Sequence, residues 1–468
     1  MTEPGGDAAG GAAGGLQRQL GLLDSTMINV GTMIGSGIFL VPSAIAAGLT
    51  APGPVLLVWV VGGLVSLLGA LAVAELAAAM PEAGGQYVYL RRAYGPAWGF
   101  LYGWACFAVI NPGSIAAISV GFATYLTHFV PLDPLAVKLV AVGAIAALTG
   151  VNCLGVRHGA TTQNVLTTLK IAALAALVLL PLAASAGNAS AGSSVAFWPA
   201  GSFLGLLPAL GVAMVAVLWT YEGWIEITYV GSEIRDPGRN LPRSIGLSLG
   251  LVTLLYVLVN AALLWVLSPG RMAASTLVAS DAAQVVLGGA GATLVVAAIL
   301  VSTLGANNGI VLTSARIPYA MARDGRFFAW AGRVHPTRHV PTNALVAQGL
   351  WTIALVFSGT YDQLATYVVF ASFLFYALSA GAVLVLRRTE PALPRPYRAW
   401  GYPVTPLVFV AFALALVAST IVQAPRDAAI GAGLIAAGLP AYWWWTREAR
   451  REARREAARE AAASPAGP

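Results

Sequence analysis

A glycine-rich stretch interrupts the first long apolar segment of this chain. The segment covers residues 24–48, and its middle reads Gly31-Thr-Met-Ile-Gly-Ser-Gly-Ile-Phe39. About 20 apolar residues are enough to cross a bilayer, but three glycines so close together predict that the helix unwinds in mid-membrane. Unwound backbone is tolerated at that depth only where it is buried in protein or lines a cavity. This segment therefore predicts a polytopic membrane protein with an internal site.

The predicted break would free backbone N–H groups to bind a ligand. The groups of Gly35, Ser36 and Gly37 would lie beside the positive end of a half-helix that begins near Ile38, so an anion such as a carboxylate would bind there. The alternative is that the glycines only allow close helix packing, because Gly31 and Gly35 form a small-x-x-x-small pattern.

Hydrophobic segments long enough to span a membrane fill most of the remaining chain. Hydrophobic residues make up 58% of the 468 residues and charged residues only 10%, which predicts an all-α polytopic membrane protein. Both cysteines, Cys106 and Cys153, lie in or at the end of predicted spans, which argues against a disulfide framework. The twelve predicted spans are 24–48, 54–79, 98–127, 134–152, 162–184, 203–232, 244–267, 287–315, 343–358, 362–386, 402–422 and 427–446.

The basic residues indicate topology rather than a nucleic-acid partner. Of the 26 Lys and Arg, 22 fall on one side of the predicted membrane, so the positive-inside rule places both termini in the cytoplasm. Residues 1–20, rich in glycine and alanine, predict a disordered cytoplasmic tail without a cleavable signal. Residues 21–446 form the predicted transmembrane domain, and residues 447–468 form a charged cytoplasmic tail.

The sixth predicted span contains a second interruption. It reads Trp219-Thr-Tyr-Glu-Gly-Trp-Ile-Glu226 and places Glu222, Gly223 and Glu226 inside a membrane segment. Carboxylates at that depth are costly and indicate a functional site. Breaks in the first and sixth spans fit two inverted five-helix repeats with a site between them. The repeats would cover about 24–184 and 203–386, with helices 11 and 12 at about 402–446.

Together these segments resemble the amino acid–polyamine–organocation superfamily, and within it the L-type amino acid transporters and the bacterial serine/threonine exchangers. The resemblance covers roughly residues 20–425. It rests on the order and spacing of several segments: Gly31–Pro42, Glu75-Leu, Pro81–Tyr89, Asn111-Pro-Gly-Ser-Ile-Ala116, Val151–Val156 with Gln163 and Lys170, Tyr221–Trp224 and Glu233–Arg243.

The resemblance implies a LeuT-like fold and alternating access around a substrate held between the first and sixth helices. The substrate carboxylate would bind the backbone at 35–37, and its amino group would bind carbonyls near Met33 and Trp219. Trp219 and Tyr221 would form the gate and the side-chain pocket. The implied substrate-binding residues are Met33, Ile34, Gly35, Ser36, Gly37, Trp219, Tyr221, Glu222 and Gly223.

Three charged residues are candidates for coupling or gating. In the resembling families a lysine at Lys170 fills the place of a sodium ion, where it could carry a proton or act as a fixed charge; the alternative is snorkelling to the membrane surface. Glu222 could carry a proton, bind the substrate amine, or only bond to unwound backbone. Glu75, near the cytoplasmic face, is interpreted as a gate or, preferably, a packing residue.

We therefore expect a secondary transporter of neutral amino acids, sodium-independent, that works by exchange or proton-linked uptake. A transporter of another small amine or polyamine and an ion channel are the alternatives; an enzyme is not expected, because no metal-ligand cluster, phosphate loop or catalytic nucleophile is recognisable. No cofactor or metal is expected. Asn111 departs from the basic residue common in animal L-type relatives. The outer loop at 128–134 has no cysteine, so we expect no disulfide-linked ancillary subunit and a monomer or homodimer.

Overall fold

A computed structural model describes residues 15–184, 196–200, 202–358 and 361–448. The described residues form helices and connecting turns. The α-helices are α1 Leu22–Met33, α2 Gly37–Gly48, α3 Pro52–Ala79, α4 Gln86–Tyr94, α5 Pro96–Ala105, α6 Asn111–Leu126, α7 Pro134–Cys153, α8 Val156–Ala184, α9 Phe203–Thr220, α10 Pro237–Val266, α11 Pro269–Ala273, α12 Val278–Leu287, α13 Gly289–Ser314, α14 Arg316–Arg323, α15 Thr342–Ser358, α16 Tyr361–Thr389, α17 Val404–Gln423 and α18 Pro425–Ala436.

The predicted all-α polytopic architecture is confirmed, but the count of twelve spans is not. Among the described residues, nine helices are long and apolar enough to cross a membrane, and the bent pair α1 and α2 makes ten. The predicted ninth span is the shorter apolar helix Thr342–Ser358. The predicted twelfth is divided by a turn at Ala437 into α18 and a helical stretch at 438–448.

Proline sets where many of these helices begin. Seven helices carry proline at one of their first two positions: α3, α5, α6, α7, α10, α11 and α18. Proline fits this position because its fixed φ suits a helix. The N–H groups of the first turn have no intrahelical acceptor, so the N–H that proline lacks costs no hydrogen bond.

The chain segment before α1 is part of the folded body. The backbone N–H groups of Gln19 and Leu20 donate to the carbonyl of Glu233 at 2.8 and 2.9 Å, and the N–H of Arg235 donates to Leu20 at 2.9 Å. Leu20 is buried and forms a parallel bridge with Ile234. The expected disordered tail of residues 1–20 is therefore too long at its C-terminal end, because residues 19–20 pair with the backbone that follows the sixth span; residues 1–14 lie outside the described range.

The first span lies at the centre of the helix bundle. Helix α1 packs against α8, α10 and α13, and α2 packs against α9 and α11. A buried ion pair fixes the end of the sixth span to α14: Arg316 Nε lies 2.7 Å from Glu233 Oε1, and Arg316 Nη2 lies 2.9 Å from Oε2. This packing places the two interrupted spans side by side.

Candidate functional site

The first span breaks where its glycines predict. Helix α1 ends at Met33, α2 begins at Gly37, and the two axes differ by 44°. Within the described residues, the N–H groups of Ser36, Gly37 and Ile38 have no hydrogen-bond acceptor. Because these groups lie at the first turn of α2, they form a set of donors without a protein acceptor at the positive end of a helix.

Gly35 has a different role from the one predicted. Its N–H donates to the carbonyl of Met33 at 3.0 Å, so this group closes a tight local turn and is not free. A side chain at Gly35 would enter open space, with no atom within 4 Å of an added Cβ. The donor set is therefore shifted by one residue along the chain, to Ser36, Gly37 and Ile38.

The second break lies against the first. Helix α9 ends at Thr220, five turn residues follow, and a 3₁₀ helix runs over Glu226–Glu233. Gly223 has φ +107°, and an added Cβ would lie 3.0 Å from the carbonyl carbon of Thr32. Glycine is therefore required there, both by the backbone conformation and by the close approach of α1.

A tyrosine hydroxyl joins the two breaks. Tyr256 of α10 is fully buried, and its hydroxyl lies 3.0 Å from the carbonyl of Met33 and 3.0 Å from the carbonyl of Thr220. Thr32 adds a second link by donating to the carbonyl of Gly223 at 3.2 Å. Carbonyls freed by both breaks are thus partly satisfied by protein donors, as buried backbone requires.

Lys170 lies directly behind the first break. Its side chain is 1% exposed, and Nζ donates to the carbonyls of Gly31 and Ile34, each at 2.7 Å. On the α13 side, an added Cβ at Gly305 would lie 2.5 Å from Lys170 Cε and 2.9 Å from Nζ. The ammonium is therefore held inside the bundle, and the alternative of snorkelling to the surface does not fit this geometry.

A cavity of about 130 Å³ opens at the two breaks. Seven of the predicted binding residues line it: Met33, Gly35, Ser36, Gly37, Trp219, Glu222 and Gly223. The ring of Trp219 lies against Gly37, since an added Cβ there would be 3.4 Å from Trp219 Cζ3. Trp219 is 40% exposed, which fits a side chain at the rim of the site.

Two of the predicted binding residues lie away from the cavity. Tyr221 is fully buried; its hydroxyl donates to the carbonyl of Trp59 at 3.0 Å, and its ring packs against Trp59 and Tyr256. The turn that follows Thr220 directs it into the interface with α3 and α10. Ile34 is also buried, and its carbonyl accepts from Lys170 rather than facing a ligand.

Two carboxylates line the same cavity. Glu222 accepts from the hydroxyl of Tyr376 at 3.3 Å, and Glu226 accepts from the hydroxyl of Thr313 at 2.8 Å. Both glutamates are half-buried. Among the described lining residues none is Lys or Arg, so no side chain of the cavity neutralises these two acids.

Glu75 lies outside the cavity. It is 1% exposed and accepts from Arg387 at 2.9 and 2.6 Å and from the N–H of Ala399 at 2.7 Å, and Arg395 Nε lies 3.2 Å away. These contacts tie α3 to the end of α16 and to the loop after it. The packing interpretation therefore describes its contacts better than a role at the substrate.

Sequence reasoning missed a polar cluster on the third span and its neighbours. The hydroxyl of Tyr102 lies 2.7 Å from Gln86 Oε1 and 2.7 Å from the hydroxyl of Tyr229, and all three residues line the cavity. Gln86 and Tyr229 lie within or beside segments that carried the family resemblance, but a single sequence does not indicate that these side chains meet.

The third span contains a π-helix where it lines the cavity. The π-helix covers Cys106–Ile110, immediately before Asn111-Pro112. Because proline has no N–H, the carbonyl of Ala108 lacks its helical donor, and the indole of Trp351 donates to it at 2.9 Å. Such π-bulges are frequent at functional sites. Asn111, which follows the bulge, is 5% exposed and lines the cavity.

The assembled site fits a zwitterion better than a metal or a cofactor. Free N–H donors at a helix start favour an anion, and the carboxylates of Glu222 and Glu226, which line the same cavity, favour a cation. Within the described part of the chain, no cluster of three metal-ligating side chains occurs. The arrangement offers binding groups for a small charged molecule.

Comparison with known proteins identifies the family. Residues 20–444 match the amino acid permease family. The chain is similar to the b(0,+)-type amino acid transporter 1 of Mus musculus, with 34% identity over 418 residues that cover 88% of this chain and 84% of that protein.

The chain is also similar to a second group of amino acid transporters. The chain is 33% identical to the large neutral amino acids transporter small subunit 2 of Mus musculus over 455 residues, which cover 94% of this chain and 83% of that protein. These matches confirm the resemblance to the amino acid–polyamine–organocation superfamily and to its L-type transporters. From the family match and the arrangement of its spans, the chain belongs to the amino acid permease family, whose members are membrane transporters and not enzymes.

Proposed function

We propose that this permease binds the carboxylate of an amino acid at Ser36, Gly37 and Ile38 and moves the substrate by alternating access between its two broken spans. The observation that carries the proposal is the set of three N–H groups without protein acceptors at the start of α2, where Ser36 and Gly37 line the cavity. A carboxylate there would gain charge-assisted hydrogen bonds and the field of the helix terminus.

The amino group of the substrate would face the opposite side of the cavity. Met33 O and Trp219 O, the expected acceptors, already accept from Tyr256 and from the N–H of Glu222. A carbonyl oxygen has a second lone pair, and the carboxylate of Glu222 lies in the same wall. Glu222 therefore supplies the charge that would balance the substrate ammonium.

We expect transport to be independent of sodium. Lys170 places a positive charge on the carbonyls of Gly31 and Ile34, which in a sodium-coupled carrier would be suitable ligands for the ion. A second cation beside this ammonium would be strongly repelled in a low-dielectric site.

Counterflow in proteoliposomes tests the proposal. Vesicles loaded with unlabelled amino acid should accumulate the labelled amino acid saturably, at equal rates in sodium and choline buffers. A requirement for sodium would overturn the role given to Lys170. Flux that does not saturate and shows no counterflow would favour the channel alternative.

A substrate with an additional positive charge is the second candidate. Neutral amino acids were expected from the sequence, but two carboxylates without a basic partner line the cavity, and an uncompensated buried charge is costly. A cationic amino acid or a small polyamine would supply the missing charge. Inhibition of the uptake of a labelled neutral amino acid by lysine, leucine and a diamine distinguishes the two candidates. If polyamines are the substrates, the diamine must inhibit uptake although it has no carboxylate.

Protonation of Glu222 would be the other way to balance the charge, and it would link transport to protons. Glu222→Gln should then make net uptake insensitive to an imposed pH gradient while exchange continues. An unchanged response to the gradient would reassign Glu222 to binding or structure, and loss of exchange as well would indicate substrate binding. Glu226→Gln, which removes the other carboxylate of the cavity, shows whether the response belongs to Glu222 alone.

The orientation and assembly of the protein are part of the proposal. Both termini would lie in the cytoplasm because most arginines occur on that side. The outer loop at 128–134 has no cysteine, so the protein would function as a monomer or homodimer without a disulfide-linked subunit. Cysteine labelling from one side of sealed vesicles would test the orientation, and cross-linking would test the assembly.

A further inference from the structure

Three exposed arginines surround a concavity at one end of the helix bundle, remote from the substrate cavity. The arginine concavity is lined by Arg18, Arg239 and Arg243 together with Asp236 and the Pro396–Tyr397 corner. All three arginines are exposed, and within the described residues their side chains form no ion pair or hydrogen bond. With Asp236 as the one acid in the lining, the local charge is +2.

The concavity is built from three separate parts of the chain. Arg18 lies two residues before Leu20, which is fixed to the backbone at Glu233. Arg239 and Arg243 are one helical turn apart at the start of α10. The third wall comes from the loop after α16: an added Cβ at Gly238 would lie 3.1 Å from the ring of Pro396. The concavity therefore depends on tertiary packing and is not a charged stretch of sequence.

Its surroundings are those of a membrane surface. Helix α10 is a candidate membrane span that begins at Pro237, and Leu247 is 55% exposed about 12 Å further along the axis from Arg239, at 1.5 Å per residue. Trp400, in the loop that also supplies Pro396, is 78% exposed. Exposed Trp beside arginine is typical of the boundary between lipid headgroups and acyl chains.

We propose that the arginine concavity binds the phosphate headgroup of an anionic phospholipid in the adjoining leaflet. Guanidinium groups match phosphate oxygens in charge and geometry, and basic pockets beside membrane spans on the cytoplasmic side bind anionic headgroups. The neighbouring apolar surface favours a lipid over a soluble phosphate, because acyl chains can lie along the exposed face of α10.

The bound headgroup would connect both broken spans. Arg18 belongs to the segment that leads into α1, and Arg239 and Arg243 begin the helix that follows the sixth span. In the structure these segments are already paired through Leu20 and Ile234. A phosphate held among the three arginines would add a non-covalent tie across the same junction.

Lipid binding to the full-length protein tests the inference. Purified protein in neutral detergent is titrated with fluorescent short-chain phosphatidylglycerol, and separately with phosphatidylcholine and inorganic phosphate. The test variant combines Arg18→Gln, Arg239→Gln and Arg243→Gln. The control variant carries the same loss of charge at three other exposed arginines, Arg157→Gln, Arg333→Gln and Arg388→Gln.

We expect phosphatidylglycerol to bind more tightly than phosphatidylcholine and than inorganic phosphate. At about fivefold per arginine near a membrane surface, the test variant should lose about 100-fold in affinity, and the control variant less than fivefold. Equal losses in both variants would reduce the effect to net charge and overturn the site. Binding of inorganic phosphate as tight as that of the lipid would overturn the lipid assignment.

Single variants decide the result if the triple variant does not fold. Each of the three changes should weaken phosphatidylglycerol binding about fivefold while the protein elutes as a single species in size-exclusion chromatography. Unchanged affinity in all three folded single variants would overturn the proposal.

Discussion

Replacing Lys170 with methionine tests how the break in the first span is held. Lys170→Met keeps a side chain of similar length and removes every donor. The carbonyls of Gly31 and Ile34, both now bonded to Nζ at 2.7 Å, would lose their charged partner. Ile34 keeps only the hydroxyl of Ser302, at 3.2 Å.

The size of the effect follows from these two carbonyls. The carbonyl of Gly31 would be left without a partner, which costs about 1–3 kcal/mol, and that of Ile34 would lose one of its two bonds, which costs about 0.5–1.5 kcal/mol. The native shape of the break would therefore lose about 2–4 kcal/mol against alternatives in which these carbonyls find water. Removing a buried charge relieves desolvation at the same time, so we expect a folded protein. Apparent substrate affinity falls with the population of the competent shape, and a loss of 2 kcal/mol corresponds to about 30-fold.

The assay compares substrate binding and counterflow in Lys170→Met and in a matched variant, Lys138→Met. Lys138 is a half-exposed lysine of α7, remote from the break. We expect at least about 30-fold weaker binding for Lys170→Met and no more than twofold for Lys138→Met. Wild-type binding in a folded Lys170→Met protein would refute the reasoning, because the ammonium would then not maintain the site.

Three further predictions follow from contacts around the same spans. Gly305→Ala should weaken substrate binding at least tenfold, since its Cβ would lie 2.5 Å from Cε of the buried Lys170. The control Gly250→Ala, whose Cβ would enter open space, should be neutral or slightly stabilising. Titration of both variants with substrate checks the prediction, and equal effects would contradict it. Glu233→Gln should lower the free energy of unfolding by about 3–5 kcal/mol, because it breaks a fully buried ion pair. Glu390→Gln, in an exposed ion pair, should lower it by less than about 1 kcal/mol. Thermal unfolding in detergent compares the two variants, and similar unfolding midpoints would refute the ranking. Gly37→Val should abolish substrate binding in an inserted, monodisperse protein, because a Cβ would lie 2.6 Å from a side-chain atom of the sixth span; wild-type affinity would exclude this residue from the site.

The sequence indicates the breaks because their cause is local. Glycine content sets where a helix unwinds, so the interruption beside Gly35 and the turn at Gly223 lie where expected. Orientation of side chains depends on tertiary packing, which no single segment determines. The sequence therefore predicts Tyr221 at the substrate, although this side chain packs against α3 and α10. It indicates Glu226 only as an intramembrane acid, although this residue lines the cavity. The partners of Lys170 are carbonyls from a distant part of the chain, which no local pattern indicates. Its position behind the first break is therefore predicted only through the family resemblance.

The most direct test of the account is whether the site requires a substrate carboxylate. Each proteinogenic amino acid and its decarboxylated amine would be compared as competitors of amino acid counterflow in proteoliposomes of the unmodified protein. We predict that the accepted amino acids compete and that their amines, which cannot bind the N–H groups of Ser36, Gly37 and Ile38, do not. Amines that compete as well as the parent amino acids would contradict the assignment of the broken first span as the carboxylate site.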